Sequence, residues 1–260
     1  MLLSLHRALG FGLGALLLLA ASAAFADAAV DADRLFERAL TARTAGEPSA
    51  AYDLMEQAMQ VDPDRMRFAS EYRRLVIEDQ AYDRSIAFFE TLIVAHPDAA
   101  NARINLGYAF VDKIPDAGAI TQVLLANTAL GHFTAAIEID DSWLGRYTRG
   151  NSYLYWPPIF GRTQLGMDDL QRAIEIAGDA PRRSYHARAH VALGDGHWRL
   201  DDVDAARRVW RAAQEAFPDN PDLKQRLAQP DDAALNAFLE QHFEVGGRVD
   251  TDLRAIYEAQ

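Results

Sequence analysis

The chain has 260 residues, no cysteine, and a formal charge of −12 from 26 basic and 38 acidic side chains. This composition excludes disulfides, thiolate metal sites, acylation at a cysteine and covalent haem attachment. It also disfavours nucleic-acid or anionic-membrane binding driven by bulk charge.

The first 26 residues read as a cleaved secretory leader. Arg7 is the only formal charge ahead of a run rich in Leu, Ala and Gly from Ala8 to Leu19, and Ala24-Phe25-Ala26 has the small-x-small form of a cleavage site before Asp27. The alternative is an uncleaved anchor, because the apolar run is near the lower limit for spanning a bilayer; Gly10, Gly12 and Gly14 interrupt it. Cleavage would remove Arg7 and leave a mature chain of charge −13, periplasmic or secreted and free of the membrane.

Five helical pairs are predicted beyond the leader. Pro63 and Pro97 stand 34 residues apart, and each ends a similar stretch: Ala51, Met55, Ala58 and Pro63, then Ser85, Phe89, Leu92 and Pro97. Apolar residues recur at three- and four-residue spacing over Ser49 to Val61 and Tyr82 to His96, which predicts two helices. Proline then disfavours helix in the residue before it. The third unit opens with Asn105-Leu106-Gly107 and Phe110 and closes with Phe133, Ala136 and Ile137. Its halves are ten residues out of step, so an insertion around Lys113 to Gln122 must loop out or lengthen the second helix. The fourth unit begins near Trp143, reads Tyr147, Gly150, Asn151 and Tyr153, and has about four extra residues within Tyr155 to Arg162. The fifth, Ala187 to Asn220, carries Leu193-Gly194, Ala206, Trp210, Ala213 and Pro218. Short helices at Asp222–Leu227, Asp232–Phe243 and Asp252–Glu258 are expected to close the end as a terminal cap.

These motifs and their 34-residue spacing resemble the tetratricopeptide repeat. The resemblance covers about five units and implies an all-α, right-handed solenoid over 27–220 with a helical cap over 221–260. It also implies a binding scaffold rather than an enzyme. Two positions depart from the pattern: Ala39 and Arg73 stand where glycine is usual, at the eighth position of units one and two.

The resemblance further implies that first helices line a concave groove. Carried onto this chain, the candidate partner-binding residues are Arg67, Arg74, Asn101, Tyr108, Tyr147, Asn151, Tyr155, Arg188 and Trp198. The full wall, which also includes Arg43, Asp112 and Asp195, is nearly neutral against the −13 of the mature chain. Aromatic area with amide and guanidinium donors suits a peptide backbone or carboxylate. The other reading of the aromatics is burial by neighbouring repeats. The lysine–asparagine clamp of chaperone-tail binders is absent, since Phe36 and Leu40 hold two of its positions.

A second candidate is the run Tyr153 to Phe160, which packs aromatic and apolar residues into a turn that should be short and polar. Trp156 and Phe160 there either cover the insertion of the third unit or bind a partner. His186, His190 and His197 share a predicted helix, but the last two occupy packing positions, so core histidines explain them better than a metal site. Acidic pairs such as Asp168-Asp169, Asp201-Asp202 and Asp231-Asp232 are read as helix caps. No catalytic, metal or cofactor motif is present in the sequence. The function expected is an exported, non-catalytic scaffold for a protein or peptide, its oligomeric state open. The alternative is an accessory small-ligand-binding component of a solute uptake system.

Overall fold

A computed structural model describes residues 30–243 and 249–259. The predicted leader and its cleavage site lie outside the described residues. The described chain is all helix and connection, without a strand. Helix α1 covers 30–44, followed by α2 (Pro48–Val61), α3 (Met66–Asp79), α4 (Tyr82–Ala95), α5 (Ala100–Lys113) and α6 (Ala119–Ile139). Then come α7 (Trp143–Leu154), α8 (Thr163–Gly178), α9 (Ala187–Arg199) and α10 (Val203–Ala216). The short helices α11 (Pro221–Leu227), α12 (Asp232–Phe243) and α13 (Arg254–Tyr257) end the chain.

Helices pack as consecutive pairs, α3/α4 through α9/α10, and first helices also stack on one another, α3 on α5 and α7 on α9. The apolar spacing explains the faces: α1 buries Ala32, Phe36 and Ala39, and α10 buries Ala206, Trp210 and Ala213. Phe36 stacks on Phe68 with ring centres 4.5 Å apart, joining the first helices of units one and two. Helices α2 and α4 stop just before Asp62-Pro63 and His96-Pro97. Asp64 in the first of these turns then caps the third unit, its Oδ1 accepting from the Asn101 amide at 2.6 Å.

Small residues set the closest approaches. A Cβ on Gly107 would lie 2.3 Å from the Phe133 ring, and one on Gly194 would lie 2.0 Å from Trp210 Nε1. Both glycines therefore sit under an aromatic side chain of their own pair's second helix.

The third unit's insertion becomes a 3-10 turn, Ile114–Asp116, and an α6 of 21 residues. Helix α6 is long and apolar enough to cross a membrane by length and composition, with 28% of its apolar window buried. Leu125, Ala129, Leu130, Phe133, Ala136 and Ile137 are its buried residues, while Ile120, Val123 and Leu124 near its start are exposed.

Helices α11 and α12 cover the last pair. Leu223, Leu235 and Leu239 are fully buried in a cluster with Trp210 and Ala213. Arg226 of α11 grips buried Asp195 of α9 through two 2.6 Å hydrogen bonds. The last segment, 249–259, was expected to join this cap. It instead lies along the first helices, back to α3.

Among the acidic pairs, Asp202 and Asp231 cap helices through the amides of Ala205 and Ala234. Asp169 corrects the capping expectation. It is buried in the body of α8 and accepts from Arg146 at 2.8 Å and from Arg149 at 2.6 and 2.7 Å. A carboxylate turned into the α7–α8 contact would be costly without those guanidinia beside it.

Candidate functional site

The strongest polar cluster sits on the inner wall and has Arg73 at its centre. Arg73 on α3 and Asp112 on α5 form an ion pair whose side chains are 2% and 1% exposed. Charges this deep are tolerated only when their hydrogen bonds are met. The planar guanidinium does so by donating in three directions: Nε to Asp112 Oδ2 at 2.9 Å, Nη1 to Asn105 Oδ1 at 3.2 Å, and Nη2 to the Thr251 carbonyl at 3.1 Å. The Thr251 hydroxyl donates to the other carboxylate oxygen of Asp112 at 2.7 Å. Arg73 also lies 4.8 Å from the Tyr108 ring centre.

The C-terminal segment thus completes the cluster, and it is held at further points. Arg188 on α9 donates to the Asp252 carbonyl at 3.1 Å and pairs with the Asp250 carboxylate at 3.5 Å. Consecutive carbonyls, 251 and 252, are therefore gripped by guanidinia from the second and fifth units. Leu253 and Ile256 are 0% and 2% exposed within the main apolar cluster. The Tyr257 hydroxyl donates to Glu71 Oε1 at 2.5 Å. Glu71 accepts from Arg74 as well. The wall presents donors to two main-chain carbonyls and apolar area to two side chains that the helical turn α13 sets on one side.

The nine predicted wall residues fall into four settings. Tyr108, Tyr147 and Arg188 belong to the central groove. Tyr108 is buried, its hydroxyl 2.9 Å from that of Thr148, and burial pushes its pKa up to about 12, so it stays neutral. Tyr147 stacks on Trp143 at 5.0 Å and is buried too. Tyr155 and Trp198 lie beneath α12: both contact the Phe243 ring, and Trp198 Nε1 donates to Asn236 at 2.8 Å. Arg67, Arg74 and Asn101 are paired locally with Glu37, Glu71 and Asp64. The half-buried Asn151 side chain makes no hydrogen bond among the described residues.

The aromatic turn divides. Trp156 is buried, with the Arg162 guanidinium 3.6 Å from its ring centre and its carbonyl accepting from Arg199 at 2.9 Å. Arg162 reaches Asn127 of the lengthened α6 at 3.0 Å, so the turn does lie against the insertion. Phe160 packs edge-on against Trp156 yet is 53% exposed, and Ile159 is 90% exposed. Beside them an open cavity of about 430 Å3 is lined by Asn127, Leu130, Thr134, Tyr153, Arg162 and Leu165 among others.

Two of the three candidate histidines, His186 and His190, lie on aromatic rings. His186 packs 5.6 Å from Trp143 and accepts from the Arg183 amide, and His190 packs 5.7 Å from Phe217. Burial lowers the pKa of both.

Sequence reasoning missed Arg73, Glu71 and the whole C-terminal segment as parts of the groove. A signal for Arg73 was present. An arginine at a close helix contact, where a small residue is usual, requires a buried acceptor, and Asp112 was already placed on the same wall.

A sequence model of the tetratricopeptide repeat matches residues 187–229, the fifth pair and the start of the cap. No curated protein matches the sequence. Among solved structures, the chain is similar to a thermophilic tetratricopeptide-repeat protein from Thermus thermophilus. That match has 18% identity and a TM-score of 0.55, covering 78% of this chain and 98% of the other. It is also similar to a tetratricopeptide-repeat protein from Parabacteroides merdae, at 13% identity and a TM-score of 0.54, covering 82% and 79%. One unit, residues 187–229, is recognised in sequence as a tetratricopeptide repeat, and the described helices share the paired-helix solenoid fold of the tetratricopeptide-repeat structures.

Proposed function

We propose that the protein is an exported, non-catalytic interaction scaffold that holds a segment of another protein in its concave groove. The observation that carries this reading is the grip of Arg73 and Arg188 on two successive main-chain carbonyls. Contacts to backbone are indifferent to the side chains of the occupant, so a wall that holds one such segment is equipped to hold another. The leader motivates export: the intact mass of the exported protein should begin at Asp27, and a membrane-bound species that retains Met1 would contradict it.

The test of the groove is partner capture from a periplasmic extract by the full mature chain. Asn151→Ala should weaken capture roughly thirtyfold, equivalent to about 2 kcal/mol at a binding hot spot. Helix content should be unchanged. Wild-type capture by this variant would remove the groove as the site. A second reading, a small-solute accessory protein, draws on the 430 Å3 cavity beside Tyr153 and Arg162, which falls within the size range of ligand pockets. Under that reading Arg162→Ala, and not Asn151→Ala, would abolish function.

A further inference from the structure

The groove of the isolated chain is occupied, and its occupant is informative. We propose that residues 249–257 are a tethered stand-in for the partner, which must displace them, and that the partner segment carries the same chemistry. This inference rests on the groove reading above and names its ligand class and its regulation.

The chemistry can be read position by position. Asp250 offers a carboxylate to Arg188. Thr251 offers a carbonyl to Arg73 and a hydroxyl to Asp112. Leu253 and Ile256, three residues apart, are buried on the wall, and Tyr257 donates to Glu71. Asp252, Ala255 and Glu258 face solvent. The partner segment is therefore acidic, then hydroxyl-bearing, with leucine two residues later and isoleucine and tyrosine three and four beyond that. Serine in place of threonine keeps the hydroxyl.

Departure of the tail leaves the wall intact, which separates a displaceable occupant from a structural strut. Arg73 retains Asp112 and Asn105, so the buried ion pair stays intact. Arg74 remains on Glu71 and Tyr108 on Thr148. What is lost is the Thr251 pair of hydrogen bonds, the Arg188 grip and the burial of Leu253 and Ile256. A matching segment restores each of these. Tethering also sets a threshold: a linked segment presents itself at an effective concentration on the order of 1 mM, so a free segment of equal affinity is excluded at low concentration.

The probe is a fluorescent synthetic peptide of residues 249–259, titrated into the full-length chain and into full-length Leu253→Asp/Ile256→Asp. The double variant should bind the peptide at least thirtyfold more tightly than wild type. A peptide carrying Thr251→Val and Leu253→Asp should bind neither. The milder Ile256→Ala, checked for native helix content by circular dichroism, should gain affinity severalfold and guards against misfolding of the double variant. Equal peptide affinity for wild type and variants overturns the displacement proposal. So does a loss of melting temperature in both variants without a gain in affinity, which would make the tail a fixed part of the fold. In either case, partner capture that is sensitive to Asn151→Ala would leave the groove reading standing.

Discussion

Replacing Arg73 with methionine is expected to destabilise the protein by about 3–5 kcal/mol. The cost does not arise from losing an attractive pair as such, because desolvation cancels much of that attraction. It arises because Asp112, 1% exposed, is left with only the Thr251 hydroxyl as a side-chain partner. Asn105 and the Thr251 carbonyl lose their donors in the same step. The double variant Arg73→Met/Asp112→Leu removes both charges and should recover most of the loss, since well-packed apolar residues often replace a buried pair without penalty. Urea unfolding of the three proteins decides it. A single-variant loss under about 1 kcal/mol, the range of surface ion pairs, would mean that the pair is open to water.

Gly194→Ala is the second large expected effect, close to 3 kcal/mol of overpacking. A methyl there would fall 2.0 Å from Trp210 Nε1 and 2.5 Å from Cδ1. Trp210 has little freedom to yield, being fully buried and donating to the Val191 carbonyl at 3.1 Å. The helix preference of alanine over glycine returns only about 1 kcal/mol. With roughly 2–4 °C lost per kcal/mol in a chain of this length, a net loss of about 2 kcal/mol should lower the melting temperature by about 4–8 °C. Gly131→Ala in α6 is the control, because a Cβ there meets nothing within 4 Å. It should leave stability unchanged or slightly raised. If the two substitutions behaved alike, Gly194 would not be the contact point of its pair.

The repeat frame was legible because it is written in local chemistry. Prolines after α2 and α4, small residues at Ala206 and Ala213, and Gly107 and Gly194 under aromatic rings all act within one helical pair. The bounds of α11 and α12 were legible for the same reason, whereas the last helix, expected over Asp252–Glu258, is confined to Arg254–Tyr257. The placement of that last segment was not legible. Thr251 meets Arg73 across 178 residues, and no periodicity links them, so nothing in the sequence distinguishes a segment that caps the solenoid from one that returns along its wall. Asp169 was misread for a related reason. Paired aspartates suit a helix start, and the decisive partners, Arg146 and Arg149, lie on another helix. The aromatic turn was only half legible, since composition flagged it but could not separate buried Trp156 from exposed Ile159. Of the wall residues, Tyr108, Tyr147 and Arg188 were found through the repeat frame. Arg73 was set aside as a departure from pattern, although the departure itself marks the site.

Amide hydrogen exchange over residues 251–257 of the full-length chain tests the central claim most directly, that the groove of the free protein holds its own C-terminal segment. The Ile256 and Tyr257 amides donate to the Leu253 carbonyl in a turn whose Leu253 and Ile256 side chains are buried, so their protection is lost when the segment leaves the wall. The account predicts exchange clearly slower than in the free peptide of the same sequence, with that protection lost in Leu253→Asp/Ile256→Asp while α5 and α9 stay protected. Exchange of 251–257 at free-peptide rates in the wild-type chain would contradict it.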